Sequence, residues 1–202
     1  MASSRTSAQR GKRNPAKVGR AFVVLVGLTV AAVVAIFLLS DFFERGIREV
    51  TLPLRHENII RQQADDKGVD AALIAAVIYS ESRFVDQTSS ADARGLMQIT
   101  PATATDIERL SGGTSFKLDD LSDPDINIRY GTFYLAHLLD IYDGDVVAAL
   151  AAYNAGPGNA QEWGGSNMTL EDITFPETKE YVKVVLEKQR EYRHIYDLEL
   201  GY

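Results

Sequence analysis

The chain has 202 residues, 46% of them apolar and 24% charged, enough for one globular domain with its own core and an appendage. It has no cysteine, which excludes a disulfide framework, a thiolate metal site, a cysteine nucleophile and an acylated lipoprotein cysteine. The net charge of −7 is unevenly placed: the only charges in residues 1–40 are six basic ones (Arg5, Arg10, Lys12, Arg13, Lys17, Arg20), leaving 15 basic and 28 acidic residues for a body poorly suited to binding nucleic-acid phosphates.

Residues 21–39, AFVVLVGLTVAAVVAIFLL, carry no charge, and Thr29 is their only clearly polar side chain. At about 1.5 Å per residue such a run just spans a hydrocarbon core of about 30 Å, and in lipid it has to be helical to satisfy its backbone. The basic flank lies on the N-terminal side. Positive-inside bias then places residues 1–20 in the cytoplasm and everything after Ser40 on the far side of the membrane. A cleaved signal peptide is the alternative, but its apolar region is usually about 7–15 residues and ends at a small-residue site. Here the run is longer and passes into Ser40-Asp41-Phe42-Phe43. The expected organisation is a cytoplasmic tail over 1–20, a transmembrane anchor over 21–40, a juxtamembrane linker over 41–56 and a folded domain over 57–202.

From Glu57 the pattern is helical, without sustained strand alternation. A first helix is expected over Asn58–Lys67, closed by Gly68. Asp70 caps a second over Ala71–Ser82. Thr100-Pro101 and Asp123-Pro124 are cap-plus-first-turn signals for helices to about Leu110 and Tyr142. Asp145 caps an alanine-rich helix to about Asn154, stopped by Gly156, and Thr178–Tyr192 forms the last. The segments 83–99, 111–122 and 164–177 read as loops. The fold class is all-α.

The second helix, AALIAAVIY, is apolar nearly all round and so buried on most sides. It ends in Ser80, Glu81 and Ser82. Glu81 follows Val77 by four and Ile78 by three, which puts a carboxyl on an apolar face. Burial and the negative end of the helix dipole both disfavour the carboxylate and raise its pKa, as a general acid near neutral pH requires. The alternative is a solvated helix-end glutamate paired with Arg83 or Arg94. Three further segments bear on the choice: Gly95-Leu-Met-Gln-Ile99, Ala151-Ala-Tyr-Asn-Ala-Gly-Pro-Gly158 and Phe175-Pro-Glu-Thr-Lys-Glu-Tyr-Val182. They bring Gln98, Tyr153, Asn154, Glu177 and Tyr181 to element ends beside small residues. Aromatic faces cover sugar rings and amides bind hydroxyls and acetamido groups, so the mix suits a polymeric sugar.

These segments in this order resemble the catalytic domain of soluble-type (family 1) lytic transglycosylases, with a goose-type-lysozyme-like fold. The resemblance covers about Glu57–Tyr192. It is carried by Glu81-Ser82 followed by Phe84, by Ser89 leading to Ala93-Arg94-Gly95-Leu96-Met97-Gln98-Ile99-Thr100-Pro101, by Ala152–Gly158, and by Glu177-Thr178 followed by Tyr181-Val182. It implies Glu81 as catalytic acid and base, with Met97, Gln98, Tyr153, Asn154, Glu177 and Tyr181 lining or supporting a glycan cleft. It further implies peptidoglycan as substrate and cleavage between N-acetylmuramic acid and N-acetylglucosamine with 1,6-anhydromuramoyl products. Asp92 departs from the family, which often has glycine there. His56, His137 and His194 have no metal-ligand spacing, and no metal or organic cofactor is expected. The rival readings are a lysozyme-like hydrolase and a non-catalytic wall-binding scaffold.

Overall fold

The computed structural model describes residues 29, 32–37, 39–40, 43, 46–113 and 117–202. Two compact units are distinguished, Met1–Val50 and Thr51–Tyr202. The basic tail and most of the apolar run, residues 21–28, 30–31 and 38, lie outside the described residues. Those of the run that are described, residues 29, 32–37 and 39, are helical and exposed. Among the described residues no helix is long and apolar enough to cross a membrane.

The second unit is all-helical, and among the described residues β pairing is limited to two isolated bridges, Thr88 with Arg94 and Arg94 with Ile99. Its principal helices are α1 (Glu57–Lys67), α2 (Ala71–Ser82), α3 (Pro101–Ser111), α4 (Pro124–Ile141), α5 (Val146–Ala155), α6 (Pro157–Glu162), α7 (Pro176–Ile195) and α8 (Asp197–Leu200). The expected caps are made. Asp70 accepts from the Leu73 N–H, Thr100 from Thr103, Asp123 from Asp125 and Ile126, and Asp145 from Ala148.

Two alanine-rich helices occupy the core. Ala71–Ile78 of α2 and Ala148–Ala152 of α5 are buried. Small side chains let neighbouring helices approach α2 closely, and α7 is its most extensive partner. Within the stretch read as a linker, Leu52 and Pro53 are buried, and their carbonyls accept the hydroxyls of Tyr196 (2.7 Å) and Tyr192 (2.6 Å).

Four short elements of this unit carry no sequence pattern: Leu118–Ser122 and Gly165–Asn167 are 3₁₀ turns inside the expected 111–122 and 164–177 loops, α6 follows Gly156 at once, and α8 follows α7. Each is six residues or fewer, too short to show helical periodicity. The last long helix starts at Pro176 and runs to Ile195, because proline fits a first helical turn that lacks N–H partners.

Candidate active site

Glu81 sits in the last turn of α2 and keeps partial exposure, but its carboxyl group is desolvated. Burial pushes its pKa from 4.5 up to about 7, opposed by hydrogen bonding from Tyr181. The Tyr181 hydroxyl is buried and makes no hydrogen bond of regular geometry. It stands near enough to the carboxyl to favour its charged form. The helix-end ion pair is not formed. Arg94 is held by Asp119 (2.9 Å) and Asp92 (3.3 Å), and the Arg83 guanidinium lies 5.5 Å from the centroid of the Tyr79 ring.

The end of α2 is a strained turn. Arg83 (φ 53°) and Phe84 (φ 62°) both adopt left-handed backbone without being glycine, a cost concentrated at functional sites. Packing compensates: Phe84 is buried, its ring 6.2 Å from that of Tyr192. Ser82 donates to the Leu96 carbonyl at 2.7 Å, joining the end of α2 to the glycine-led loop.

That loop is organised by a residue the sequence reading passed over. Asn127, fully buried on α4, accepts the Met97 N–H (2.8 Å) and donates to the carbonyls of Arg94 (2.9 Å) and Leu121 (3.0 Å). Gly95, at φ 74°, leaves the space: a Cβ there would lie 2.1 Å from the Asn127 amide nitrogen. Gly131, one turn further along α4, likewise admits Met97, whose sulfur would be 2.4 Å from an added Cβ. The signal was present. Asn127 shares a helical face with the buried Gly131, Leu135 and Leu138, where an uncharged amide stands out. The Asp92 departure also has an account, since its φ is 59°, a conformation glycine adopts freely and aspartate tolerates.

The other expected residues fall into distinct places. Met97 is fully buried, so its side chain supports the loop from within, while its carbonyl accepts the Tyr153 hydroxyl at 2.9 Å. Tyr153, its ring 5.7 Å from that of Tyr134, stands close enough to Glu81 for the carboxylate to oppose its ionisation, and burial raises both the Tyr153 and Tyr181 phenols well above the usual range. Gln98 turns its amide inward to the carbonyls of Gly95 (2.8 Å) and Gln87 (3.0 Å). Asn154, exposed, accepts from the buried Thr178 at 2.7 Å and so fastens the end of α5 to the start of α7. Glu177 is exposed and, with Tyr79, Ser80, Arg83 and Tyr181, lines a pocket of about 350 Å³ between α2 and α7. A larger one of about 480 Å³ lies at the opposite end of α2, away from Glu81.

The model of the transglycosylase SLT domain matches residues 58–176. The chain belongs to this family. The SLT chain is 32% identical over 155 residues to the soluble lytic murein transglycosylase of Salmonella typhimurium, covering 72% of this chain and 24% of that one. It is 38% identical over 116 residues to membrane-bound lytic murein transglycosylase C of Cronobacter sakazakii, covering 52% and 32%. Among solved structures it resembles the 70 kDa soluble lytic transglycosylase of Escherichia coli, with a TM-score of 0.69, 32% identity and coverage of 73% and 25%. An inactive glutamate-to-glutamine mutant of the Pseudomonas aeruginosa lytic transglycosylase Slt matches equally well, with a TM-score of 0.69, 32% identity and coverage of 77% and 26%. The lysozyme-like, lytic-transglycosylase fold is thereby established. The chain spans about a quarter of the length of the soluble curated relatives it matches.

Proposed function

We propose that the SLT chain is a peptidoglycan lytic transglycosylase that cuts the β-1,4 bond between N-acetylmuramic acid and N-acetylglucosamine and leaves 1,6-anhydromuramoyl ends. The observation that carries this reading is the Glu81 carboxyl, desolvated at the end of α2 with its pKa raised to about 7 and two buried phenols beside it, in a domain that matches the SLT family over residues 58–176. Such a group is half protonated near neutral pH, so one residue can serve as acid first and base second.

Glu81 gives its proton to the glycosidic oxygen as the bond breaks. The acetamido oxygen of the muramoyl sugar stabilises the positive charge developing at C1. Glu81, now a carboxylate, removes the proton from the C6 hydroxyl of the same sugar, and that oxygen closes on C1. The Tyr181 hydroxyl is placed to donate to Glu81 in its charged interval. Met97, Asn127 and the Tyr153–Met97 bond hold the loop facing it; Gln98, Asn154 and Glu177 complete the cleft. Attack within one sugar gains from proximity and does not need the second carboxylate of most glycosidases. Asp86 and Asp92, the nearest acids in the following loop, are exposed, and Asp92 is engaged by Arg94.

The domain acts, in this reading, on the outer face of the cytoplasmic membrane. The charge-free run 21–39 anchors it and the basic residues 1–20 remain in the cytoplasm. That one relative is named membrane-bound accords with an anchored member of the family. Digestion of purified peptidoglycan by the wild-type chain and by Glu81→Gln tests the activity. Cutting is expected only from the wild type, and equal cutting by both contradicts the assignment of Glu81.

A further inference from the structure

Asp70 begins the helix that Glu81 ends, and it holds more partners than a cap requires. Its Oδ1 accepts the Leu73 N–H (2.8 Å) and the Gln189 amide (3.2 Å). Its Oδ2 accepts the Tyr202 hydroxyl (2.9 Å) and is ion-paired with Arg193. The Tyr202 oxygen in turn accepts the Ala72 N–H at 2.9 Å, and the Arg193 guanidinium lies 5.1 Å from the centroid of the Tyr202 ring. Capping α2 needs only the Leu73 contact. The others tie the start of α2 to the end of α7 and to the C-terminal turn.

The two helices run antiparallel, since the start of α2 meets Gln189 and Arg193 late in α7 while its end meets Tyr181 early in α7. Asp70 to Glu81 and Tyr181 to Arg193 are matched spans, roughly 16–18 Å each at the α-helical rise. A slip of one residue at the Asp70 end would carry Tyr181 about 1.5 Å past Glu81, half the length of a hydrogen bond. The buried surface of α2 is largely alanine, valine and isoleucine, and Tyr79 packs its ring 6.3 Å from that of Tyr192; to these non-directional contacts the Asp70 cluster adds directional polar ones.

We propose that the Asp70 cluster is the register lock of the α2–α7 pair, and that Gln189, Arg193 and Tyr202 are positioning residues for the contact between Tyr181 and Glu81. The consequence for turnover rests on Glu81 being the acid; the positional claim does not. The titratable groups facing Glu81 are Tyr181 from α7 and Tyr153 from α5. Tyr153 is held by the Met97 carbonyl and its helix is coupled to α7 through the Thr178–Asn154 bond, so the comparison with Tyr181→Phe is what isolates the effect at Tyr181.

The test is a carbon-13 NMR titration of the Glu81 carboxyl in the full-length chain, comparing wild type, Arg193→Leu, Tyr181→Phe and the double variant. Tyr181→Phe removes the donor beside the Glu81 carboxylate and Arg193→Leu lets that donor shift away, so each should raise the midpoint by about half a unit or more. The double variant should go no further than Tyr181→Phe alone, whereas unlinked sites at this separation add. Arg193→Lys, which keeps the charge at Asp70, should return the midpoint toward wild type. Additive shifts, a downward shift, or an unmoved midpoint in folded Arg193→Leu would overturn the lock. Should Arg193→Leu fail to fold, Tyr202→Phe carries the same comparison. Digestion of peptidoglycan sacculi is scored separately, so a wild type that does not cut refutes the activity while the titration still decides the lock.

Discussion

Replacing Asn127 by alanine removes the post on which the glycine-led loop rests. Three backbone groups lose a partner: the buried Met97 N–H and Leu121 carbonyl, and the part-buried Arg94 carbonyl. The Arg94 carbonyl still accepts the Ile99 N–H at 3.0 Å, so the full penalty falls on the other two. At about 1–3 kcal/mol for each buried group left unpaired, the loss centres near 4 kcal/mol. For a unit of this size that corresponds to a fall in Tm of roughly 10 °C. Thermal unfolding followed by circular dichroism measures it, with Asn127→Leu as a variant of similar volume to separate hydrogen bonding from cavity formation. The leucine variant should be destabilised nearly as much. Peptidoglycan cutting, measured well below both transitions, should also fall, because the Met97 carbonyl that holds Tyr153 moves with the loop. A Tm within about 2 °C of wild type would refute the reasoning.

Glu81→Gln should stabilise the fold increasingly with pH. The folded pKa lies above its ordinary value, so the stability linked to Glu81 is whole below about pH 4.5 and is lost as pH rises through about 7. The gap between variant and wild type in chemical denaturation should reach roughly 3 kcal/mol by pH 8, and a constant gap contradicts burial of the carboxyl. Tyr153→Ala should lower turnover beyond its effect on folding; a folded variant, judged by its melting, that cuts normally would return Tyr153 to a packing role. Protease applied to intact spheroplasts should digest the domain and spare residues 1–20, and a protected domain reverses the topology.

The helices were legible because their ends are marked chemically. Asp70, Thr100, Asp123 and Asp145 cap where expected, and the apolar run Ala71–Ile78 announced a buried helix. Glu81 was legible as a carboxyl on that apolar surface. The supporting structure was not, because it depends on contacts between distant segments. Asn127 serves a loop thirty residues earlier in the chain, and Asp70 is completed by Arg193 and Tyr202 from the far end of the sequence. Nor does pattern reveal direction: Met97 and Gln98 share one loop, yet Met97 turns wholly into the core and Gln98 is spent on two carbonyls.

The central claim is that Glu81 works alone and that the C6 hydroxyl of the substrate closes the reaction. Mass analysis of the fragments released from purified peptidoglycan tests it most directly. The account predicts 1,6-anhydromuramoyl products, each lighter by one water than its hydrolytic counterpart; reducing-end muramic acid as the main product would contradict it and make the chain a hydrolase.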